Sequence, residues 1–543
     1  MKKFSKSVIA VICVALLCTA FAGCGGKQSD RVQTDGKSFT YWAPLDGVSS
    51  ATMSNYSEML FYQEMEKATG VHVDFLHPIQ GSTGNEAFLT MIASDEMPDM
   101  IEFNWLAYTG GPQAAVDDGV IIALNDYIEE YAPNFYNYMQ GEEGKKRDYS
   151  PYLASTTDDG TYYGFNVLNL GKTEGFAGLF CRSDLLEKWG MDVPETIDDW
   201  TAYFAKAKQE GFNKPLTGDN GLLSFRFPDN HSFNVAYDVG TAFYLEGDEV
   251  VFAPFQKGYK EYIAQMAEWW KAGYIDPGVI TNDSVKIEGN LVQGMSVAGA
   301  GSIGASLGTV DAALKNVNSE YGLVACPYPV LKKGDVTRFQ GVMPDATTWA
   351  IGITRECGNY EAAVSWCDWI YSEEGIATML FGKEGDTYTV EEIDGEKHYV
   401  YTDKVLDYEA SGFSSLRYAM FHYGLPSGHP GYNQHDDYLA NYYQQQNQKD
   451  ALKIWNPNPE EAVKHSLPTL AYTTEEQSEI TDITELIEAP LDVFLYDIIM
   501  GKKSIDEYEK GMESFAEQGY NRYLEINQAA YNRFLSKKEK IAG

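Results

Sequence analysis

The sequence predicts an α/β protein of two lobes, each a mixed, mostly parallel sheet flanked by helices, with a helical C-terminal part. Three observations carry that expectation. Strand-like and helix-like runs alternate early in the chain, a second set of strands opens near residue 170, and the last third has apolar residues at helical spacing.

The alternation begins at Phe39-Thr40-Tyr41-Trp42-Ala43-Pro44, which reads as a strand, and continues into a helix over about 55–69 that Gly70 ends. A strand over 71–76, a helix over about 85–93 and a strand Met100-Ile101-Glu102-Phe103 follow. That order implies a parallel sheet covered on both faces, whose ligands sit in the crevice beyond the carboxyl ends of the strands. Pro44 to Gly47, His77 to Gln80 and Asn104 to Tyr108 occupy those ends.

Leu179-Phe180-Cys181-Arg182 opens the second lobe. Thr196 is a natural N-cap ahead of Asp198 and Asp199, and Met266, Trp269 and Trp270 lie on a further helix ending at Gly273. A strand at about 295–298 leads into a glycine-rich loop. Thr347 to Ile353 is strand-like and precedes a helix over about 361–371. The stretch 382–470, rich in Gly, Tyr, His and Gln, reads as loop, and Ile483, Ile487, Leu491, Phe494, Leu495 and Ile498 mark a C-terminal helix.

The first residues set the compartment. Lys2, Lys3 and Lys6 precede an apolar run from Val8 to Phe21, which has signal-peptide length and falls short of a membrane span. Phe21-Ala22-Gly23-Cys24 resembles the lipobox of bacterial lipoproteins, with Phe21 in place of the usual Leu. Residues 1–23 are then a signal, Cys24 the lipidation site and 24–37 a flexible tether.

With 543 residues and 44% hydrophobic content, the chain has length for two or three domains. The formal charge of −38 becomes −41 when Lys2, Lys3 and Lys6 leave with the signal, which argues against nucleic acid as a partner. Cys181, Cys326, Cys357 and Cys367 are too few and too scattered for a disulfide scaffold, and buried free thiols are expected, with a Cys357–Cys367 pairing as the alternative. Tyr, Phe and Trp number 38, 26 and 10, a surplus that suits stacking against sugar rings.

Several runs resemble the LplA-like lipoprotein branch of the bacterial extracellular solute-binding protein family 1, the binding components of carbohydrate ABC importers. They include Glu64-Met65-Glu66-Lys67-Ala68-Thr69-Gly70, Ala93-Ser94-Asp95-Glu96-Met97-Pro98-Asp99, Asp117-Asp118-Gly119-Val120-Ile121, Arg182-Ser183-Asp184-Leu185-Leu186, Pro194-Glu195-Thr196-Ile197-Asp198-Asp199-Trp200, Tyr371-Ser372-Glu373-Glu374-Gly375 and Ala529-Ala530-Tyr531-Asn532-Arg533.

The resemblance implies a periplasmic-binding-protein-like fold of type II that closes on its ligand by a hinge. Its N-terminal lobe would comprise residues 38–168 plus about 346–400, and its C-terminal lobe 169–345 plus about 401–543. The crossings would lie near 165–178, 345–350 and 382–412. The implied function is capture of an oligosaccharide for an ABC permease by a monomer held on the outer face of the cell membrane by Cys24, without catalysis or cofactor. Part of the family binds calcium in a loop ahead of a Pro-Leu-Thr run. Here Gly211-Phe212-Asn213-Lys214-Pro215-Leu216-Thr217 lacks the oxygen ligands, so no metal is expected there.

Candidate ligand contacts follow from placement and chemistry. Asn104 and Trp105 on a strand-end loop offer an amide for vicinal hydroxyls and an indole for a sugar face, with Tyr108 beyond them. Trp42 lies at the first strand's end, and Asp46 is a hydroxyl acceptor. Glu174 lies in the first crossing, Ser302 in the glycine-rich loop and Trp349 near the second crossing. Arg417 and His422, with Tyr418 and Tyr423, form a polar aromatic cluster placed to overhang the cleft. Two other readings remain open: a cell-surface glycoside hydrolase working through two carboxylates, and a binder of a non-sugar solute such as a peptide. No Gly-x-Ser-x-Gly, His-Glu-x-x-His, Cys-x-x-Cys or Walker A motif is present.

Overall fold

The computed structural model describes residues 38–542 apart from 79–83, 95–96, 170, 172–174, 227–231, 426–427 and 434. Cys24 and Glu174 therefore lie outside the described residues.

The strands run in chain order as β1 (Ser38–Trp42), β2 (His72–Leu76), β3 (Met100–Asn104), β4 (Phe165–Asn169), β5 (Ala177–Arg182), β6 (Phe243–Glu246), β7 (Glu249–Phe252), β8 (Ala298–Ser302), β9 (Leu323–Ala325), β10 (Ala346–Ile353), β11 (Tyr388–Ile393), β12 (Glu396–Tyr401) and β13 (Gly431–Asn433). The first lobe is built on a sheet of order β13-β4-β10-β3-β1-β2. The pairs β1–β2, β1–β3 and β4–β13 are parallel, and β10 runs antiparallel between β3 and β4. This is the mostly parallel sheet that the alternation predicted.

Both faces are covered, which explains why the strands read as nearly continuous apolar runs. Tyr41, Met100 and Ile351 join one buried cluster, while Trp42, Ile101, Phe103 and Ala350 join another on the opposite face. Alternation along each strand divides the residues between these faces.

The second lobe departs from the prediction. Its named strands, in the order β8-β5-β9, pair antiparallel, and parallel pairing is confined to single bridges, such as Leu216 with Ala298 and with Ile275. The glycine-rich strand also lies three residues later than expected. The N-cap at Thr196 forms as read: its side chain accepts the Asp199 N–H, and Asp199 returns the bond to the Thr196 N–H.

The stretch 382–470 is not a loop. It holds the hairpin β11–β12, β13, and the helices Leu416–Tyr423, Asp436–Tyr442, Gln446–Ile454 and Pro459–His465. Because β13 pairs with β4, the first lobe extends to residue 433, past the expected boundary near 400. Trp455 is already buried in the second lobe's core, so the third crossing lies after the helix Asp436–Tyr442 and not at 382–412. The error has a physical source: short elements interleaved with Gly and Pro carry too few residues each to display a period.

Two helices tie the lobes at their C-terminal side. The helix Thr474–Ile499 begins against Gly110, and the helix Asn521–Ala542 ends on the first lobe, where Lys537 Nζ donates to Thr156 Oγ1 (2.6 Å) and the Thr157 carbonyl (2.8 Å). Arg533 pairs with Asp158 at 2.9 Å beside them. The four cysteines among the described residues, Cys181, Cys326, Cys357 and Cys367, are buried and free; Cys181 and Cys326 lie 3.4 Å apart at sulfur. No helix among the described residues is long and apolar enough to cross a membrane.

Candidate functional site

Strand direction locates the crevice. The chain leaves the first sheet at the end of β4 and enters the second at the start of β5. The end of β3, parallel to β4, and the end of β8, antiparallel to β5, therefore lie on the sides from which the crossing departs. The start of β10 joins them, since Asn169 N–H donates to the Asp345 carbonyl at 2.8 Å.

At the first lobe's edge of that crevice lies a buried polar network. Glu102 on β3 is fully buried, and its carboxylate receives three donors: Tyr41 Oη at 2.6 Å, Trp349 Nε1 at 2.7 Å and His429 Nδ1 at 2.7 Å. On its other side His429 Nε2 faces Tyr56 Oη at 3.3 Å and the Asp46 carboxylate at 3.7 Å. Asp46 Oδ1 accepts the N–H groups of Val48 (2.7 Å) and Ser49 (3.0 Å), closing the turn after β1. His77 completes the group: its Nδ1 donates to the Ala43 carbonyl at 2.8 Å and its Nε2 accepts the Tyr56 N–H at 3.2 Å.

The charges follow from these contacts. Burial alone would push the His429 imidazole down, but the Glu102 carboxylate and then Asp46 outweigh it and carry it up to about 10. Burial would raise the Asp46 carboxyl, yet His429 and the Ser49 N–H hold it well below the ordinary carboxylate range.

Trp349 pairs directly with Asn104 across the β3–β10 ladder, and Thr348 Oγ1 donates to Asn104 Oδ1 at 2.7 Å. Trp349 is half-buried, with its N–H directed inward to Glu102. A half-buried indole fixed at its polar edge, beside the Asn104 amide and in one network with the Asp46 carboxylate, has the chemistry to stack on a sugar and hydrogen-bond its hydroxyls.

On the second lobe Ser302 ends β8 and its Oγ accepts the Ala305 N–H at 3.3 Å. Next to it, a Cβ added to Gly304 would lie 2.5 Å from the Tyr442 hydroxyl, so glycine is needed there for the ring to lie against the backbone. Exposed Arg417 is near enough for its charge to offset part of the rise that burial imposes on the Tyr442 phenol. Tyr442, in the helix just ahead of the third crossing and with Arg417 near it, thus meets the second lobe at Gly304, two residues past Ser302.

Other predicted contacts are placed elsewhere. Trp105 is fully buried, donates its Nε1 to the Ala350 carbonyl at 3.0 Å and packs against Phe88 and Phe103. Its ring lies over Gly352, where a Cβ would meet Trp105 Cζ2 at 2.6 Å. Trp42, 5% exposed, shares this core with Phe88. Both tryptophans occupy the sheet face opposite Glu102, so neither reaches the crevice. Tyr108 points to Asp118 at 2.9 Å, which with burial raises its phenol to about 12. His422 is wedged between Phe413 and Tyr423, ring centroids 5.1 Å away in each case, and so packs against the aromatics of the insertion.

Glu102, His429, Tyr41 and Tyr56 escaped the sequence reading as site residues, and His77 was placed at a strand end without a role. Glu102 did leave a signal, a lone acid within the apolar run Met100-Ile101-Glu102-Phe103. His429 left none, because its partners are 327 and 383 residues away in the chain.

A cavity of about 1340 Å³ lies at the β13 edge of the junction, between the helix Glu142–Lys146 and the helices Gln446–Ile454 and Pro459–His465. It is lined in part by Tyr432, His435, Tyr443 and Asn456, and by none of the crevice residues above.

At the loop 211–217, Lys214 Nζ lies 3.1 Å from Asp276 Oδ1. Asp276 is also bound by the Asn282 and Asn290 amides (2.9 and 2.6 Å) and the Gly278 N–H (3.0 Å). A lysine ammonium is the cation that this buried carboxylate faces.

A family profile for bacterial extracellular solute-binding proteins matches residues 50–377, more than half of the chain. This chain belongs to that family. Among curated relatives, the solute-binding protein is 29% identical over 222 residues to the fructooligosaccharide ABC transporter substrate-binding protein FusA of Streptococcus pneumoniae, covering 36% of this chain and 37% of FusA. It is 27% identical over 181 residues to the lipoprotein LipO of Bacillus subtilis, covering 33% and 32%. The matches thus span about a third of either relative.

Solved structures agree in fold over most of the chain. FusA of S. pneumoniae in complex with kestose superposes with a TM-score of 0.70 at 18% identity, covering 92% of this solute-binding protein and 100% of that chain. The alginate-binding protein AlgQ2 without calcium ion gives 0.70 at 17% identity, with 93% and 100% covered. An HMO-binding, ABC-transporter-associated solute-binding protein from Bifidobacterium longum infantis gives 0.71 at 14%, with 92% and 99% covered. The two-lobed α/β fold of type II is shown by these likenesses.

Proposed function

We propose that this solute-binding protein captures a neutral oligosaccharide between its lobes and delivers it to an ABC permease, working outside the cell as a monomer tethered by a lipid on Cys24. The observation that carries the sugar reading is Trp349: a half-buried indole, held at its N–H by Glu102, with Asn104 opposite and the Asp46 carboxylate in the same network. Sugar binding calls for this combination of an aromatic face and fixed hydroxyl partners. The relatives named for fructooligosaccharide, kestose and HMO binding support the same class. Lobe closure would bury the ligand and present both lobes to the permease.

Anchoring rests on the Phe21-Ala22-Gly23-Cys24 run and on the likeness to the lipoprotein LipO. About a dozen flexible residues would give the lobes a root-mean-square reach of roughly 20 Å from the membrane.

Calorimetry against a panel of plant and host oligosaccharides tests the reading. Saturable one-to-one binding with the glycan recovered intact supports it. Cleavage of the glycan without a stable bound state would favour a surface hydrolase, and binding of peptides alone would favour a peptide carrier.

A further inference from the structure

We infer that His429 is a positioning residue of the crevice, a bridge between Glu102 and Asp46 that fixes the Trp349 indole and the Asp46 carboxylate where a bound sugar would meet them. The sugar reading above supplies only what the crevice receives; the bridge stands on geometry.

Hydrogen-bond accounting gives the bridge its charge. Tyr56 has one hydroxyl hydrogen, and its nearest acceptor is the Pro44 carbonyl at 2.9 Å. Toward His429 the Tyr56 oxygen is therefore an acceptor, so Nε2 must donate across 3.3 Å. Nδ1 lies 2.7 Å from Glu102 Oε1, an acceptor when ionised, so it donates too. A ring donating from both nitrogens is an imidazolium. One positive charge then stands between two carboxylates, and the groups facing it are Glu102 and Tyr41 from β3 and β1, Asp46 from the turn after β1, Tyr56, and His77 beyond Tyr56. Gly428, at φ +81°, makes the turn that delivers the ring.

The consequence for the crevice is mechanical. Glu102 Oε1 is shared by His429 and Trp349, so the imidazole limits where the carboxylate can sit, and the carboxylate limits the indole. Asp46, 25% exposed at its side chain, is held on one side by the turn N–H groups and on the other by the His429 charge, leaving its open edge toward solvent. The residue also links the insertion between β12 and β13 to the strand ends of β1 and β3, joining three distant stretches of sequence at one point.

Two ligand-free spectra on the whole protein test the bridge. In nitrogen NMR of histidine-labelled protein, the ring identified by its proximity to the Trp349 indole N–H should carry a proton on both nitrogens from pH 6 to 8.5, where an ordinary imidazole is mostly neutral at the upper end. A ring that loses a proton near pH 6.5 overturns the proposal. In fluorine NMR of 5-fluorotryptophan protein, with the signal assigned by Trp349→Phe, His429→Gln should shift or broaden the Trp349 resonance and His435→Gln should leave it in place. An unmoved Trp349 resonance in His429→Gln overturns the proposal. If His429→Gln fails to fold, the wild-type nitrogen spectrum decides alone.

A binding arm uses the panel of neutral oligosaccharides. Loss of about tenfold or more in affinity for His429→Gln, which is 1.4 kcal/mol, supports the positioning role, and unchanged affinity in a variant that folds overturns it. A wild-type protein that binds none of the sugars overturns the sugar reading and not the bridge, which the two spectra decide.

Discussion

Trp349 donates its indole N–H to Glu102 across 2.7 Å, from a strand that runs antiparallel beside the one bearing the acid. The bond uses the polar edge of the ring inside the protein, while the residue as a whole stays only half-buried. A buried carboxylate is costly unless its lone pairs are filled, and Tyr41 and His429 fill them. The crevice therefore depends on a polar network behind it.

The two tryptophans at the strand ends should separate by phenotype. Trp349→Ala should weaken sugar binding by roughly 1–4 kcal/mol and cost only about 1–3 kcal/mol of stability, from the lost hydrogen bond to Glu102. Trp105→Ala should act on stability instead, costing about 3–5 kcal/mol because the ring is fully buried over Gly352. Calorimetry and urea unfolding on both variants check the pair.

Glu102→Ala should cost roughly 3–5 kcal/mol, since it leaves His429 and Tyr41 without their acceptor. Equilibrium unfolding measures it, and a cost under about 1 kcal/mol would contradict the network.

The pH dependence of stability should carry the mark of His429. Its imidazole is raised in the folded state to about 10 from an ordinary 6.5, so the folded state holds its proton more tightly. The resulting stabilisation is fully present below pH 6.5 and is lost as pH rises through 10. The stability gap between wild type and His429→Gln should accordingly narrow from pH 6 toward pH 10 in parallel unfolding curves.

Calcium and chelator should leave the melting temperature unchanged, because Lys214 supplies the positive charge at Asp276. Burial would raise the Asp276 carboxyl, and the Gly278 N–H, the Asn282 amide and Lys214 together hold it below the ordinary range. Lys214→Ala should destabilise the second lobe by about 3 kcal/mol or more by leaving a buried charge unpaired. Thermal scans with and without chelator, on both proteins, check this.

The sequence made the first lobe legible because its elements are long enough to show a period. β1, the helix Leu60–Thr69 ended by Gly70 at φ +70°, and β3 all lie within a few residues of where the pattern put them. The side of the sheet was not legible. With both faces buried, polarity does not alternate, so nothing in the sequence told that Trp42 and Trp105 point away from Glu102. Asp46 and Asn104 could be named as candidates because position at a strand end is a local property, and Trp349 because it lies on a strand near a crossing. His429 could not be, since its role depends on β13 joining β4 and bringing the preceding turn to β3. The insertion after residue 382 was misjudged for a related reason: β13 has three residues, and a pairing that short has no pattern of its own.

Mass spectrometry of the mature N-terminus should find a diacylglyceryl group on Cys24 and no residue before it. A free Cys24 thiol, or an intact N-terminus on membrane-associated protein, would remove the anchor from the account.

The most direct test of oligosaccharide capture at the Trp349 crevice is a paired titration of wild type and Trp349→Ala with the sugar that the wild type binds most tightly. The account predicts one site per chain in the wild type, a loss of roughly tenfold or more in the variant, and the same sugar recovered unaltered. Equal affinity in the two proteins, or a sugar returned in pieces, would contradict it.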